Sequence, residues 1–386
     1  MLPPPPLRRR ALDHLIRPTR AEVDLSAVAH NLAVVRRLAA PAGVLAVVKA
    51  NAYGHGAPLV AHALEDAGVD LLAVALVEEG LELRNAGVRA PILVLGGAYD
   101  GGYEALVAHD LVPVVFREDQ LEALARIARA THQRVKVHLK VDTGMGRIGV
   151  TLDQLEALLK KARGFPELEI DGLASHLANA DVQDSALNGE QVEGFLHAYR
   201  QVKAAGFAPR WRHLSNSAAV LGLPQARDPA VFNLVRPGLL LYGHAPAEHL
   251  SREGLRPVLS WKTAVSHLKT VPAGTPVSYG SIWTAPRESR IATLPVGYAD
   301  GYDRIFSNRA QVLIRGHRAP VVGRVCMDMC MVDVTDVPGA ALHDEVVLLG
   351  AQGDAQVDAT ELARLADTIP YEILCGIGAR VPRVAV

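Results

Sequence analysis

A lysine closes the apolar run Val47-Val48-Lys49 and is followed at once by Ala50-Asn51-Ala52-Tyr53-Gly54-His55-Gly56. An amine in that place has two readings. It can lay its stem on apolar surface and keep its charge in water, or it can sit desolvated, with a lowered pKa, as a nucleophile toward a carbonyl. The lysine alone does not decide between them, but the glycine-rich turn behind it offers a polar aromatic group where an anion can be held. Other residues able to do chemistry also stand at the ends of apolar runs. They are Lys140, Arg147 in the glycine-flanked DTGMGRIG, His176, the pair Asn216 and Ser217, and Arg236 ahead of Pro237-Gly238-Leu239. Each has a plain structural alternative. Lys140 can be a salt-bridging lysine, His176 a solitary hydrogen-bonding histidine, Ser217 a helix N-cap, and Arg236 a surface residue in a turn. Tyr279, in Val277-Ser278-Tyr279-Gly280, would ordinarily be a packing residue.

The elements that must position these groups follow from periodicity. Short β-branched runs at 44–48, 71–75, 92–95, 112–115, 135–141, 170–175, 211–214 and 234–241 alternate with Ala/Leu-rich stretches. In the latter, Leu121, Leu124, Ala125 and Ala128 recur at helical spacing, as do Leu152, Leu155, Leu158 and Leu159. Thr151, with Gln154 three residues on, predicts a capping box. Eight strand–helix units between about Asp24 and Gly243 match a (β/α)8 TIM-like barrel, which typically needs roughly 250 residues. A doubly wound open sheet is disfavoured by that count and by the absence of GxGxxG after the first strand. In a barrel, chemistry belongs just past the C-terminal ends of the strands, which is where Lys49, His176, Asn216 and Ser217 fall. Beyond about Pro246 the helical period fades and strand-like runs take over at 259–265, 290–295, 311–314, 320–325, 329–334 and 346–349. Turn residues punctuate them, and one helix is expected from Asp358 to about Thr368. The expected organisation is an extended or disordered segment over 1–20, a cofactor-binding barrel over 21–245 and a mostly β domain over 246–386. A strand at 22–25 is expected to pair into the latter.

With 49% hydrophobic and 21% charged residues the chain has the composition of a globular protein, and 386 residues suffice for a large and a smaller domain. A formal net charge of -1 argues against nucleic-acid or membrane-surface partners, which a basic excess would favour. The 3 cysteines, Cys326, Cys330 and Cys375, lack zinc-ligand spacing and suggest reduced thiols in a cytoplasmic protein. No metal is expected. The start, MLPPPPLRRRALDHLIRPTR, has no apolar segment of a secretory signal.

The stretch VVKANAYGHG resembles the cofactor-lysine signature of the alanine racemase family. LKVDTGMGRIG, SHLANAD, LSNSAA, VRPGLLLYG, VSYGSIW with LPVGYADG, and GRVCMDM agree with that family in order, from about residue 20 to the C-terminus. The resemblance implies a barrel followed by a β domain, pyridoxal 5'-phosphate as cofactor, alanine as substrate, and a homodimer with shared active sites. It implies that Lys49 binds the cofactor covalently and is one catalytic base, and that Tyr279, from the partner subunit, is the other. Both pKa values, ordinarily near 10, must then be drawn toward neutrality.

By the same resemblance Arg236 faces the pyridine nitrogen, and Arg147 contacts the phenolic oxygen and the substrate. Lys140 aligns with a lysine carbamylated in several members, and His176 stacks on the ring or buttresses Arg236. Tyr53, Tyr371, Asn216, Ser217, Gly238 and Leu239 correspond to phosphate contacts. Met327 and Asp328 meet the substrate carboxylate, and Tyr298 gates the entrance. Racemases of serine, lysine or broader specificity share these motifs. A regulatory protein binding the cofactor without turnover would lack the segment 246–386.

Overall fold

The computed structural model describes residues 16–386, so the expectation for the N-terminal segment lies, up to residue 15, outside the described residues. The chain forms two compact units. One comprises residues 26–52 and 57–256. The other comprises the described residues up to Leu25, the four residues Tyr53–Gly56, and 257–386.

The chain opens with β1 (Arg20–Val23), a strand of the second unit. The first unit then runs through β2 (Gly43–Val47), β3 (Leu71–Val74), β4 (Ile92–Val94), β5 (Leu111–Val115), β6 (Val135–Lys140), β7 (Leu168–Ala174), β8 (Trp211–His213) and β9 (Leu234–Val235). All pair in parallel, in the order β8-β7-β6-β5-β4-β3-β2-β9. Across the remaining seam Asn233 N donates to Arg212 O at 3.2 Å and Arg236 N to Ser215 O at 2.8 Å, which brings the sheet nearly to a closed barrel. Helices cover the outside, so the strands are buried on both faces and read as unbroken apolar runs. β3, LLAV, has every residue buried. Helix Glu118–Thr131 buries Leu121, Leu124, Ala125 and Ala128 as the spacing predicts.

Two local expectations fail in this unit. The strand expected over 234–241 stops at Val235, and Leu239–Tyr242 is a 3-10 turn. Arg236-Pro237-Gly238 intervenes, and proline has no N–H to continue a ladder. The capping box at Thr151 does not form either. The helix there begins only at Leu155, with no side-chain cap.

In the second unit the strands are β10 (Leu259–Ala264), β11 (His267–Val271), β12 (Pro276–Val277), β13 (Trp283–Thr284), β14 (Ser289–Leu294), β15 (Gln311–Ile314), β16 (His317–Pro320), β17 (Cys330–Asp333), β18 (Glu345–Gln352), β19 (Ala355–Val357) and β20 (Arg383–Ala385). The largest sheet has the order β16-β15-β18-β10-β1-β20 with β19 on β18. A three-stranded sheet, β11-β14-β17, and the ribbon β12-β13 complete it. As expected, the first strand pairs here, antiparallel to β10 and parallel to β20. β15 and β16 are joined by Arg315 and Gly316 at φ 53° and 79°, the two left-handed residues that a tight hairpin turn requires. The strand expected over 320–325 is displaced. β16 ends at Pro320, one bridge joins Val321 to Val332, and Gly323 turns away at φ 72°. The helix expected from Asp358 spans Ala359–Ala366, with Asp358 accepting from Glu361 N as its cap.

Candidate active site

The candidate residues of the first unit gather at the C-terminal ends of the barrel strands. Lys49 follows β2, and the backbone behind it does something the sequence did not announce. Ala50, Asn51, Ala52 and Tyr53 all have φ of 52–54°, a full left-handed turn without glycine. Such a conformation costs roughly 1–2 kcal/mol per residue, so its surroundings must hold it. Glu79 Oε1 accepts from Ala50 N at 2.6 Å while Oε2 accepts from Ala75 N and Leu76 N beyond β3. Asn51 Oδ1 accepts from Ala57 N at 2.7 Å, starting the next helix. Lys49 is thereby held in place by the backbone on its C-terminal side.

Arg236, just past β9, is 5% exposed. Its Nη1 donates to His213 Nδ1 at 2.8 Å. Its Nη2 is within donating distance of Ser175 O (2.7 Å), Leu214 O (3.0 Å) and His176 Nδ1 (3.0 Å). A guanidinium can only donate, so both imidazoles present a bare Nδ1 to it and carry their hydrogen on Nε2. His213 Nε2 then donates to His138 Nδ1 at 2.8 Å. Neither His138 nor His213 was singled out from sequence. The available signal was Gly172 on the strand between theirs, where a Cβ would lie 2.4 Å from the His138 ring.

The electrostatics of this cluster are one-sided. Burial, followed by Arg147, lowers Arg236 to about 10, which leaves it protonated at neutral pH. Burial lowers Lys140 to about 7, with Arg236 and Arg147 adding to the effect and Asp142 opposing it. Burial first, then Arg236, Lys140, Arg147 and Lys49, hold His176 well below the usual imidazole range. Four cationic side chains therefore converge on one histidine. Arg147 itself is exposed, in a loop whose Asp142 Oδ1 accepts from Gly144 N, Met145 N and Gly146 N. Beyond β8, Asn216 caps the helix Ser217–Gly222 by accepting from Ala219 N, so the cap is Asn216 and not Ser217. Ser217 Oγ instead accepts from Gly238 N at 2.9 Å, which ties together two of the segments expected to hold a phosphate, with Leu239 next in line.

Within the second unit the structure brings together Tyr279, Tyr298, Met327 and Asp328. Tyr298 N donates to Cys326 O and Ala299 N to Met327 O, both at 3.0 Å. Ser278 Oγ donates to Arg324 O at 2.8 Å, which fixes the residue before Tyr279 against the same loop. Ser278 itself is left-handed at φ 69°. Tyr279 is 72% exposed, beside exposed Ile282, Tyr298, Met327 and Met329. Tyr53 and Tyr371 form a second group, with ring centroids 5.8 Å apart. Burial, then Tyr371 and Cys375, push the Tyr53 phenol upward, which keeps its O–H a donor.

Comparison with known proteins gives one answer. Residues 23–246 match the alanine racemase N-terminal domain and residues 258–385 the alanine racemase C-terminal domain. The alanine racemase of Sorangium cellulosum (strain So ce56) is 48% identical over 379 residues, 95% of this chain and 99% of that one. The crystal structure of alanine racemase from D-cycloserine-producing Streptomyces lavendulae superposes with a TM-score of 0.91 at 36% identity, covering 97% of this chain and 98% of the other. That from Bartonella henselae, with covalently bound pyridoxal phosphate, has a TM-score of 0.84 at 31% identity, over 95% and 99%.

Proposed function

The chain belongs to the alanine racemase family, and from that premise we propose that it interconverts L-alanine and D-alanine with pyridoxal 5'-phosphate, as a cytoplasmic homodimer with shared sites. Its product would be D-alanine for peptidoglycan. The observation that carries the cofactor reading is the convergence of Lys49, Lys140, Arg147 and Arg236 on His176, with Asp142 opposing them at Lys140. A surplus of cationic side chains at the mouth of a barrel, Lys140 and Arg236 buried among them, fits an anionic ring and phosphate.

When bound, the cofactor withdraws electrons from the Cα of the amino acid joined to it. The rest of the work falls to this chain's residues. Lys49 holds the cofactor and exchanges a proton on one face of Cα. Tyr279 of the partner subunit exchanges one on the other face. Arg236, protonated at neutral pH and braced by two backbone carbonyls and two imidazoles, presents a donor to the ring nitrogen without giving up its proton. His176 buttresses it. Arg147 meets the phenolic oxygen and the substrate. Lys140, drawn to about 7 by burial and two arginines, has enough unprotonated amine near neutral pH to take up CO2, and as a carbamate it would answer the surrounding positive charge. Asn216, Ser217, Gly238 and Leu239 hold the phosphate with backbone and hydroxyl groups, joined by the Tyr53 and Tyr371 hydroxyls. Met327 and Asp328 of the partner subunit meet the substrate, and Tyr298 gates it. The exposure of Tyr279 and its apolar neighbours supports the dimer, since large apolar side chains grouped on a surface mark an interface.

The test combines turnover with mapping. Purified protein is expected to racemise alanine faster than any other member of an L-amino-acid panel. Borohydride is expected to fix the cofactor on Lys49. Adduct on Lys140 instead, or a preference for serine or lysine, would overturn the corresponding part of the reading.

A further inference from the structure

Residues 16–19, ahead of β1, have no part in the proposed chemistry, yet Arg17 reaches a buried carboxylate. Asp300 is fully buried within the turn Gly297–Gly301. Its Oδ2 accepts from Gly297 N at 3.1 Å. Its Oδ1 lies 2.8 Å from Arg17 Nη2 and 3.5 Å from Arg380 Nε, ion pairs by distance whose angles fall outside those of a hydrogen bond. Arg17 Nη2 also donates to Arg380 O at 2.9 Å, and Arg380 Nη2 donates to Asp328 Oδ1 at 2.8 Å. Two residues on, Thr19 Oγ1 donates to Pro295 O at 2.7 Å, just before the turn.

The turn fastened in this way is a hub. It carries Tyr298. Its amides bind Cys326 O and Met327 O on one side, and Asp300 O accepts from Gly378 N on the other. There is no slack on either side. A Cβ on Gly297 would lie 2.3 Å from Cys326 O, and one on Gly301 would lie 2.0 Å from Gly376 O. A buried carboxylate that loses a cationic partner is left undercompensated, and this one is hydrogen-bonded to Gly297 N at the head of the turn whose amides hold Cys326 O and Met327 O.

We propose that Arg17 is a positioning residue, which clamps the Gly297–Gly301 turn through buried Asp300 and so fixes Tyr298, Met327 and Asp328 toward substrate. The substrate side of this proposal rests on the reading of those three residues given above, but the clamp does not. Arg17 is about one-third exposed, so Arg17→Ala should fold. Amide hydrogen exchange is measured first, on the holoenzyme. In Arg17→Ala the amides of Tyr298, Ala299 and Gly301 are expected to exchange about tenfold faster, with those of the barrel strands unchanged. Kinetics with alanine then read the consequence, a KM about fivefold higher with kcat within about twofold. Arg17→Lys, which keeps the charge at Asp300, is expected to restore most of both. Unchanged exchange in the turn overturns the clamp, whether or not the protein turns over alanine. Faster exchange with an unaltered KM overturns the positioning role. Absence of alanine turnover in the wild type defeats the functional reading alone, and the exchange result still decides the clamp.

Discussion

Arg236 dictates the protonation of the histidines around it, and stability should record that. His138 is drawn down to about 3 by burial and then by Arg236. His213 and His176 are held well below their ordinary value by the same two causes in the same order. Unfolded, each imidazole titrates near 6.5. Above that pH both states are neutral and the network contributes in full. As pH falls from 6.5 toward the folded values, the unfolded chain binds protons the native chain refuses. Stability should then drop by up to about 1.4 kcal/mol per pH unit for each histidine. Lys140 acts in a different window, since its folded value of about 7 lies below its unfolded one, and its contribution is lost between about 10 and 7. Urea unfolding is therefore expected to show lower stability at pH 5.5 than at pH 7.5. Equal stabilities at the two pH values would contradict the neutral triad. Arg236 stood out in sequence through the shared block VRPGLLLYG, although the strand was expected to run on to 241. His138 and His213 did not, because a histidine pointing into a barrel has the same period-two spacing as a valine.

At the scale of elements, the left-handed turn behind Lys49 is the feature the sequence concealed most completely. Glycine would have flagged positive φ, but none occurs before Gly54, and the four residues concerned are three good helix formers or neutral residues and a tyrosine. Tertiary hydrogen bonds from Glu79 and Asn51 override local propensity. Asn51 does two things at once, since it tolerates the left-handed conformation better than alanine and its Oδ1 caps the helix Ala57–Asp66. Asn51→Ala is expected to cost about 1–3 kcal/mol in chemical denaturation. Asn51→Asp, which keeps the acceptor, should cost less than half of that, and equal losses in the two variants would show that the cap is not what matters. Most strands were readable because buried parallel strands are simple apolar runs. The failures have local causes. Pro237 cut one strand short, Gly323 diverted another, and the helix expected to be capped by Thr151 starts later, where Leu155, Leu158 and Leu159 can all face inward.

At the scale of the whole molecule, Lys49 and Tyr279 belong to different compact units and lie more than two hundred residues apart in the chain. Racemisation needs a group on each face of one Cα. If the site takes Lys49 from one subunit and Tyr279 from its partner, the defects Lys49→Ala and Tyr279→Phe complement each other. In a mixed dimer one site carries both defects and the other carries neither. Random exchange of equal amounts of the two variants makes half the dimers mixed, as a symmetric two-fold association requires. With one intact site in each, the mixture should reach about a quarter of wild-type activity from two nearly inactive parents. Within a single subunit the arithmetic differs, because every site would then hold one defect and mixing would change nothing. Exchange itself is checked by mass spectrometry of isotopically tagged chains. Verified exchange without recovery of activity would refute the shared site and leave the racemase reading in place. Recovery would show that one chain alone cannot build the site, so that activity should also fall on dilution below the dimer's dissociation constant.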